Sequence, residues 1–357
     1  RTVSLLIGAF SLTVILAEFP SGVFADLYGR KRAFLLSALL SFLSYGLLLF
    51  SRSLAMLFPA VVAKGLGRAF SSGSVEALAI DEAGEGALVQ TASQLSILES
   101  AGLAAGALAG GLLSGVGDRC EGNLLANLAL YASVFLLTAA FVREHPRAAA
   151  HPHAAAQVLE SLAFLRRRGA VRALLVFSLS TGFALISLET YWQLALSEQS
   201  PAPWVFGAVS FLGFLAVIFG SKFAERLLTK NPERGPALLV GFKALLGAGC
   251  LMLFVRSRQP LFIGIYSLCY IFLGGGGVAE SALLNKEAPT GRRAGILSLF
   301  SLLLQIGGLC ASLTGFFVSA RADFRAMWAI AGGLLILGAA VSIRMLAAKK
   351  EPPAFQA

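Results

Sequence analysis

The stretch "EFPSGVFADLYGRKRAF", Glu18 to Phe34, sets Asp26, Arg30, Lys31 and Arg32 directly against apolar residues on both sides. Whether these charges lie inside a membrane or at its edge decides how the chain is read. The 357-residue chain is 57% hydrophobic and 13% charged, with a mean hydropathy of +0.78, far from the balance of a soluble domain. A helix needs roughly 20 apolar residues to cross a hydrocarbon core of about 30 Å, and backbone groups in lipid must bond within the protein. Repeated apolar runs of that length imply a polytopic helical bundle. The runs are continuous and do not alternate, which excludes a β-barrel.

The pattern predicts eleven membrane helices, over residues 3–25, 33–50, 54–80, 92–117, 124–142, 171–194, 203–222, 236–255, 260–284, 293–319 and 325–346. A long polar connection, residues 143–170, divides them. It contains "VLESLAFLRRRGAVR", whose Val158, Leu159, Leu162 and Leu165 fall near one face, as in an amphipathic helix lying on the membrane surface. The expected domains are therefore a helical bundle over 1–142, a cytoplasmic linker over 143–170 and a second bundle over 171–357.

The net charge of +10 does not indicate nucleic acid, because the basic residues sit mainly between apolar runs. If the turn after Asp26 is cytoplasmic, the long connection, Lys222, Arg226, Lys230, Arg234, Lys286 and Arg344 share its side. Arg1, Arg52, Arg119, Arg258 and Arg321 then lie outside. That asymmetry fixes the orientation and places the C-terminus in the cytoplasm; the acidic "DEAGEG", 81–86, runs against it. Cys120, Cys250, Cys269 and Cys310 are too widely spaced for a disulfide framework or a metal site and read as packing residues.

At the edge of the membrane the opening stretch takes on a specific form. Gly22, Asp26, Gly29, Arg30 and Lys31 resemble the Gly-x-x-x-Asp-x-x-Gly-Arg-Lys/Arg motif between the second and third helices of the major facilitator superfamily. Glu18 and Pro20 resemble the Glu-x-Pro-x-Gly of a drug-efflux-like branch. The resemblance implies two six-helix bundles with the family's first helix apparently missing before Arg1. It also implies that Asp26, Arg30 and Lys31 act as a cytoplasmic latch between inward-open and outward-open states. From the residues themselves, Gly22 suits close backbone approach and Gly29 a tight turn. "GLAAGALAGGLL" resembles the family's antiporter motif at Gly102, Gly106, Gly110 and Gly111, with Ala107 in place of a proline. Small residues at that spacing also let membrane helices pack closely.

Charged residues within membrane runs cost at least ~2.5 kcal/mol each, so they face a cavity or one another. Glu18, Lys64, Arg68, Glu76, Glu99, Glu189, Lys243 and Glu280 are the candidates. Lys64, Arg68, Ser72 and Glu76 recur every four residues and are expected to form one inward stripe. Glu99 and Glu18 are read as proton- or cation-binding groups, with an ion pair to Lys64 or Arg68 as the alternative. Glu189 opens "ETYWQ", a site for a cationic aromatic compound or else part of an interfacial belt. Glu280 follows Gly274 to Gly277, a run that lacks the Lys-Ser/Thr of a phosphate loop and reads as flexible or close-packed helix.

These features imply a non-enzymatic secondary transporter in the plasma membrane, working by alternating access and exporting small amphipathic or drug-like molecules against proton entry. Import of a specific solute is the alternative, and a non-transporting receptor a remoter one. The expected partners are the lipid bilayer, the solute and protons, with the proton gradient as driving force. A monomer is expected, with neither cofactor nor metal.

Overall fold

The computed structural model describes residues 2–71, 88–117, 120–143, 169–255, 257–287 and 293–347. The acidic 81–86 segment, Glu76 and most of the 143–170 connection lie outside the described residues, as do the side chains of Asp26 and Glu99.

Eleven α-helices occupy the described residues: α1 (Thr2–Tyr28), α2 (Arg30–Phe50), α3 (Leu54–Ser71), α4 (Leu88–Leu113), α5 (Glu121–Phe141), α6 (Gly169–Ser197), α7 (Pro203–Lys230), α8 (Gly235–Phe254), α9 (Gln259–Glu287), α10 (Arg293–Val318) and α11 (Ala326–Ala347). A 3₁₀ turn, Pro232–Arg234, separates α7 from α8. Nine helices among the described residues are long and apolar enough to cross a membrane. Large side chains such as Leu16, Phe50, Leu136, Phe219 and Leu337 are exposed, which a chain surrounded by lipid tolerates because its solvent is itself apolar.

The chain divides into two compact units, Arg1–Pro152 with Leu196–Phe214, and His153–Ala195 with Leu215–Ala357. In the first unit, small residues let α3 nestle against α1 and α2. A Cβ on Gly65 would come within 2.9 Å of Thr13, and one on Gly67 within 2.7 Å of the Ser41 hydroxyl. The buried face of α2 is a seam of Ala33, Ser37, Ala38, Ser41 and Ser44. One of its hydroxyls is spent between helices: Ser44 donates to the Ala60 carbonyl at 2.7 Å. Hydrophobicity alone cannot hold helices together in lipid, so close approach and such interhelical bonds take over.

The second unit uses backbone contact still more heavily. A Cβ on Gly182 would strike the Leu304 carbonyl, and one on Gly307 the Leu179 carbonyl, so α6 and α10 touch main chain to main chain. Gly220 and Gly274 do the same for α7 and α9, and Gly247 and Gly332 for α8 and α11. Around these crossings Val171, Leu174, Phe177, Leu239, Ala279, Leu283 and Phe300 form a closed core.

Candidate functional site

The opening stretch forms the end of α1, a one-residue break and the start of α2. Gly29 is that break, at φ 99° and ψ 150°, a conformation that a side chain disfavours. Its N–H still bonds to the Ala25 carbonyl at 3.0 Å, and its own carbonyl accepts from Ala33 at 3.1 Å. Arg30 opens α2. Lys31 donates at 3.0 Å to the Ala139 carbonyl in the last turn of α5, where a cation meets the negative end of the helix dipole. Gly22 differs from the sequence reading: a Cβ there would meet nothing within 4 Å, so no neighbouring backbone requires a glycine. Half-buried Glu18 precedes Ser21, whose hydroxyl lies 2.9 Å from the Glu18 carbonyl and 3.0 Å from that of Ala69 on α3.

Lys64 lies ten residues from the start of α3 and seven from Ser71, about 15 Å and about 10 Å at 1.5 Å per residue. Its ammonium donates to the Tyr131 hydroxyl at 2.9 Å. It also sits over two rings, 4.5 Å from the centroid of Tyr45 and 4.7 Å from that of Tyr131, and those rings stack at 5.6 Å. Helices α2, α3 and α5 thus supply one residue each to a cation held by aromatic faces. Arg68 does not continue this site. It is exposed, although residues four apart lie on the same side of a helix. Ser72 and Glu76, the other two members of the expected inward stripe, lie outside the described residues.

In the second unit α6, α8 and α9 bring together Ser178, Thr181, Lys243 and Glu280. Lys243 Nζ lies 2.6 Å from Glu280 Oε2 and 2.6 Å from Thr181 Oγ1, while Ser178 donates to Glu280 Oε1 at 2.5 Å. The side chains are 1% and 14% exposed for Lys243 and Glu280. The glycine run explains how Lys243 gets there. Gly276 lies against its aliphatic stem, a Cβ there falling 3.5 Å from Lys243 Cε, and Gly275 lies against the ring of Phe242. Gly275 and Gly276 therefore make room on α9 for α8, while Gly274 faces α7 and Gly277 meets nothing within 4 Å; Glu280 stands one turn beyond Gly276.

Glu189 stands in contrast. It lies eight residues from the end of α6, about 12 Å inside it, yet is exposed. It accepts a hydrogen bond from the Tyr270 hydroxyl, which in turn accepts from Tyr266 at 3.0 Å. Neither of the expected aromatic partners joins it. Tyr191 and Trp192 are 4% and 2% exposed and pack into the unit, Tyr191 on Phe324 at 5.8 Å and Trp192 beside Tyr266 at 5.3 Å. Successive residues of a helix point about 100° apart, so Glu189 and its neighbours part company.

The antiporter-like glycines also separate. Gly111 packs against Gly207 of α7, with a Cβ falling 2.6 Å from its Cα, whereas Gly102 and Gly106 have nothing within 4 Å. Gly110 lies beside Asn123, which donates to its carbonyl at 3.0 Å. Cys250 and Cys269 are buried packing residues; Cys120 and Cys310 are exposed and are not. The partners that the sequence reading missed are Ser178, Thr181, Tyr45, Tyr131 and Tyr270. For Ser178 and Thr181 a signal existed, two hydroxyls three apart in an apolar run.

Comparison with known proteins places this arrangement. Over 345 residues the chain is 24% identical to a Bacillus subtilis (strain 168) protein described as the uncharacterized MFS-type transporter YxaM, covering 93% of this chain and 84% of that protein. Crystal structures of the nucleoside transporter NupG and of a mutant of it each superpose with a TM-score of 0.77 at 13% identity. They cover 98% and 96% of this chain, and 91% and 90% of theirs. The family model of the Major Facilitator Superfamily matches residues 1–309, and the chain belongs to that superfamily of membrane transporters.

Proposed function

We propose that the chain is a proton-coupled secondary transporter that exports small amphipathic or drug-like molecules across the plasma membrane by alternating access. Glu189 carries this reading. A carboxylate about 12 Å inside an apolar helix is costly to keep. Glu280, the carboxylate one turn beyond the glycines of α9, is neutralised by Lys243. Glu189 instead is exposed and receives only hydroxyl contact from Tyr270 among the described residues. A carboxylate with access and no fixed counter-charge is suited to take up a proton in one state and release it in the other, which couples proton flow to a population shift. Asp26, Arg30 and Lys31 serve as the cytoplasmic latch in this scheme, at a junction with a single residue of slack.

The test is proton movement in acidified inverted vesicles carrying the protein, on addition of cationic, neutral and anionic compounds. Compound-dependent proton release that disappears in Glu189→Gln, with the variant folded, supports the reading. An unchanged pH dependence of transport in that variant removes Glu189 from the mechanism, and accumulation of solute on the opposite side replaces export with import.

A further inference from the structure

We infer that Lys64, Tyr45 and Tyr131 form a recognition site for an oxyanion, the carboxylate, sulfonate or phosphate of the transported solute. This rests on the transport reading above and adds the chemical class of its cargo. The first ground is charge. Lysines in membrane helices usually carry their ammonium along a flexible stem to the nearest interface. Lys64, about 10 Å or more from either end of the described α3, turns to Tyr131 instead, and no carboxylate among the described side chains lies within ion-pair distance of it. Two ring faces ease the desolvation of the ammonium but supply no counter-charge.

The second ground is hydrogen-bond polarity. The Lys64 ammonium has three protons and spends one on Tyr131. Because the Tyr131 oxygen accepts there, its own proton remains to be donated. Neither that proton, the Tyr45 hydroxyl nor the other two ammonium protons meets an acceptor among the described residues. A partly accessible cluster made of donors, carrying one positive charge, is complementary to an oxyanion and to little else. Exposed Arg68, one turn further along α3, adds to the positive field. A lipid headgroup would offer the same chemistry, but the depth of Lys64 favours a solute.

The full chain in phosphatidylcholine nanodiscs, titrated with 1-naphthoate, 1-naphthalenesulfonate and neutral 1-naphthamide, provides the test. The anions should bind and the amide should not. Lys64→Gln should weaken naphthoate binding at least about tenfold, the size of one charge-assisted bond. Lys64→Arg should keep most of the affinity, and Tyr131→Phe should reduce it without unfolding the protein. Equal binding of the amide, unchanged affinity in Lys64→Gln, or no anion binding by the folded protein would each overturn the inference. Binding that requires phosphatidylglycerol in the discs would assign the cluster to a headgroup and overturn it as well. Equilibrium binding does not depend on proton coupling, so a Glu189→Gln variant that transports unchanged would sink the earlier reading and leave this one standing.

Discussion

Replacing Lys243 by Met should destabilise the protein severely, and replacing Glu280 by Met at the same time should restore most of the loss. The magnitude follows from the burial. With side chains 1% and 14% exposed and 2.6 Å apart, neither charge has water to fall back on. Removing one partner of such a pair leaves an uncompensated buried charge and costs about 3–5 kcal/mol, while replacing both by apolar groups of similar size is close to neutral. Two local features shift these values. A chain unfolded within a membrane still finds polar partners, which argues for the lower end of the range. Ser178 loses its acceptor and Thr181 its donor in the double variant, which leaves about 1 kcal/mol unrecovered for each hydroxyl that finds no new partner. Reversible unfolding in mixed micelles, read by tryptophan fluorescence on wild type, both single variants and the double, closes the cycle. Single variants within about 0.5 kcal/mol of wild type, or a double variant as unstable as the two singles added together, would refute the claim that the pair holds α8 to α9.

Two contrasts among glycines test the backbone geometry. Gly29→Ala should lower stability by about 1–2 kcal/mol because its φ is positive, whereas Gly22→Ala should be neutral or stabilising by up to about 1 kcal/mol through helix propensity; thermal unfolding distinguishes them. Gly111→Ala should cost about 1–3 kcal/mol by forcing α4 from α7, while Gly106→Ala, with open space around it, should not. Equal effects of Gly106→Ala and Gly111→Ala would show that the close approach to Gly207 is not used.

The fold was legible in the sequence because a membrane span is long, continuous and unlike its surroundings, so each of the eleven runs has a helix among the described residues. The one-residue turn at Gly29 was legible for a different reason, the spacing of glycine and charge. Rotation about each helix axis was not legible. Depth follows from counting residues, but a turn of about 100° separates exposed Glu189 from buried Thr190. Partners across helices, such as Lys243 with Glu280 or Lys64 with Tyr131, depend on rotations that no single run of sequence records. Gly182, Gly220 and Gly307 carry no signal for the same reason: a glycine in an apolar helix gives no sign of what backbone lies opposite it.

The single residue at the α1–α2 junction carries a mechanical consequence. With Gly29 bonded back to Ala25 and forward to Ala33, the two helices are tied through the same residue. There is no loop to absorb strain. A displacement at the Tyr28 end of α1 must appear at Arg30 undiminished, and through Lys31 it reaches the last turn of α5. The junction thus behaves as a stiff linkage whose output moves with its input, and the three helix ends it joins shift as one piece.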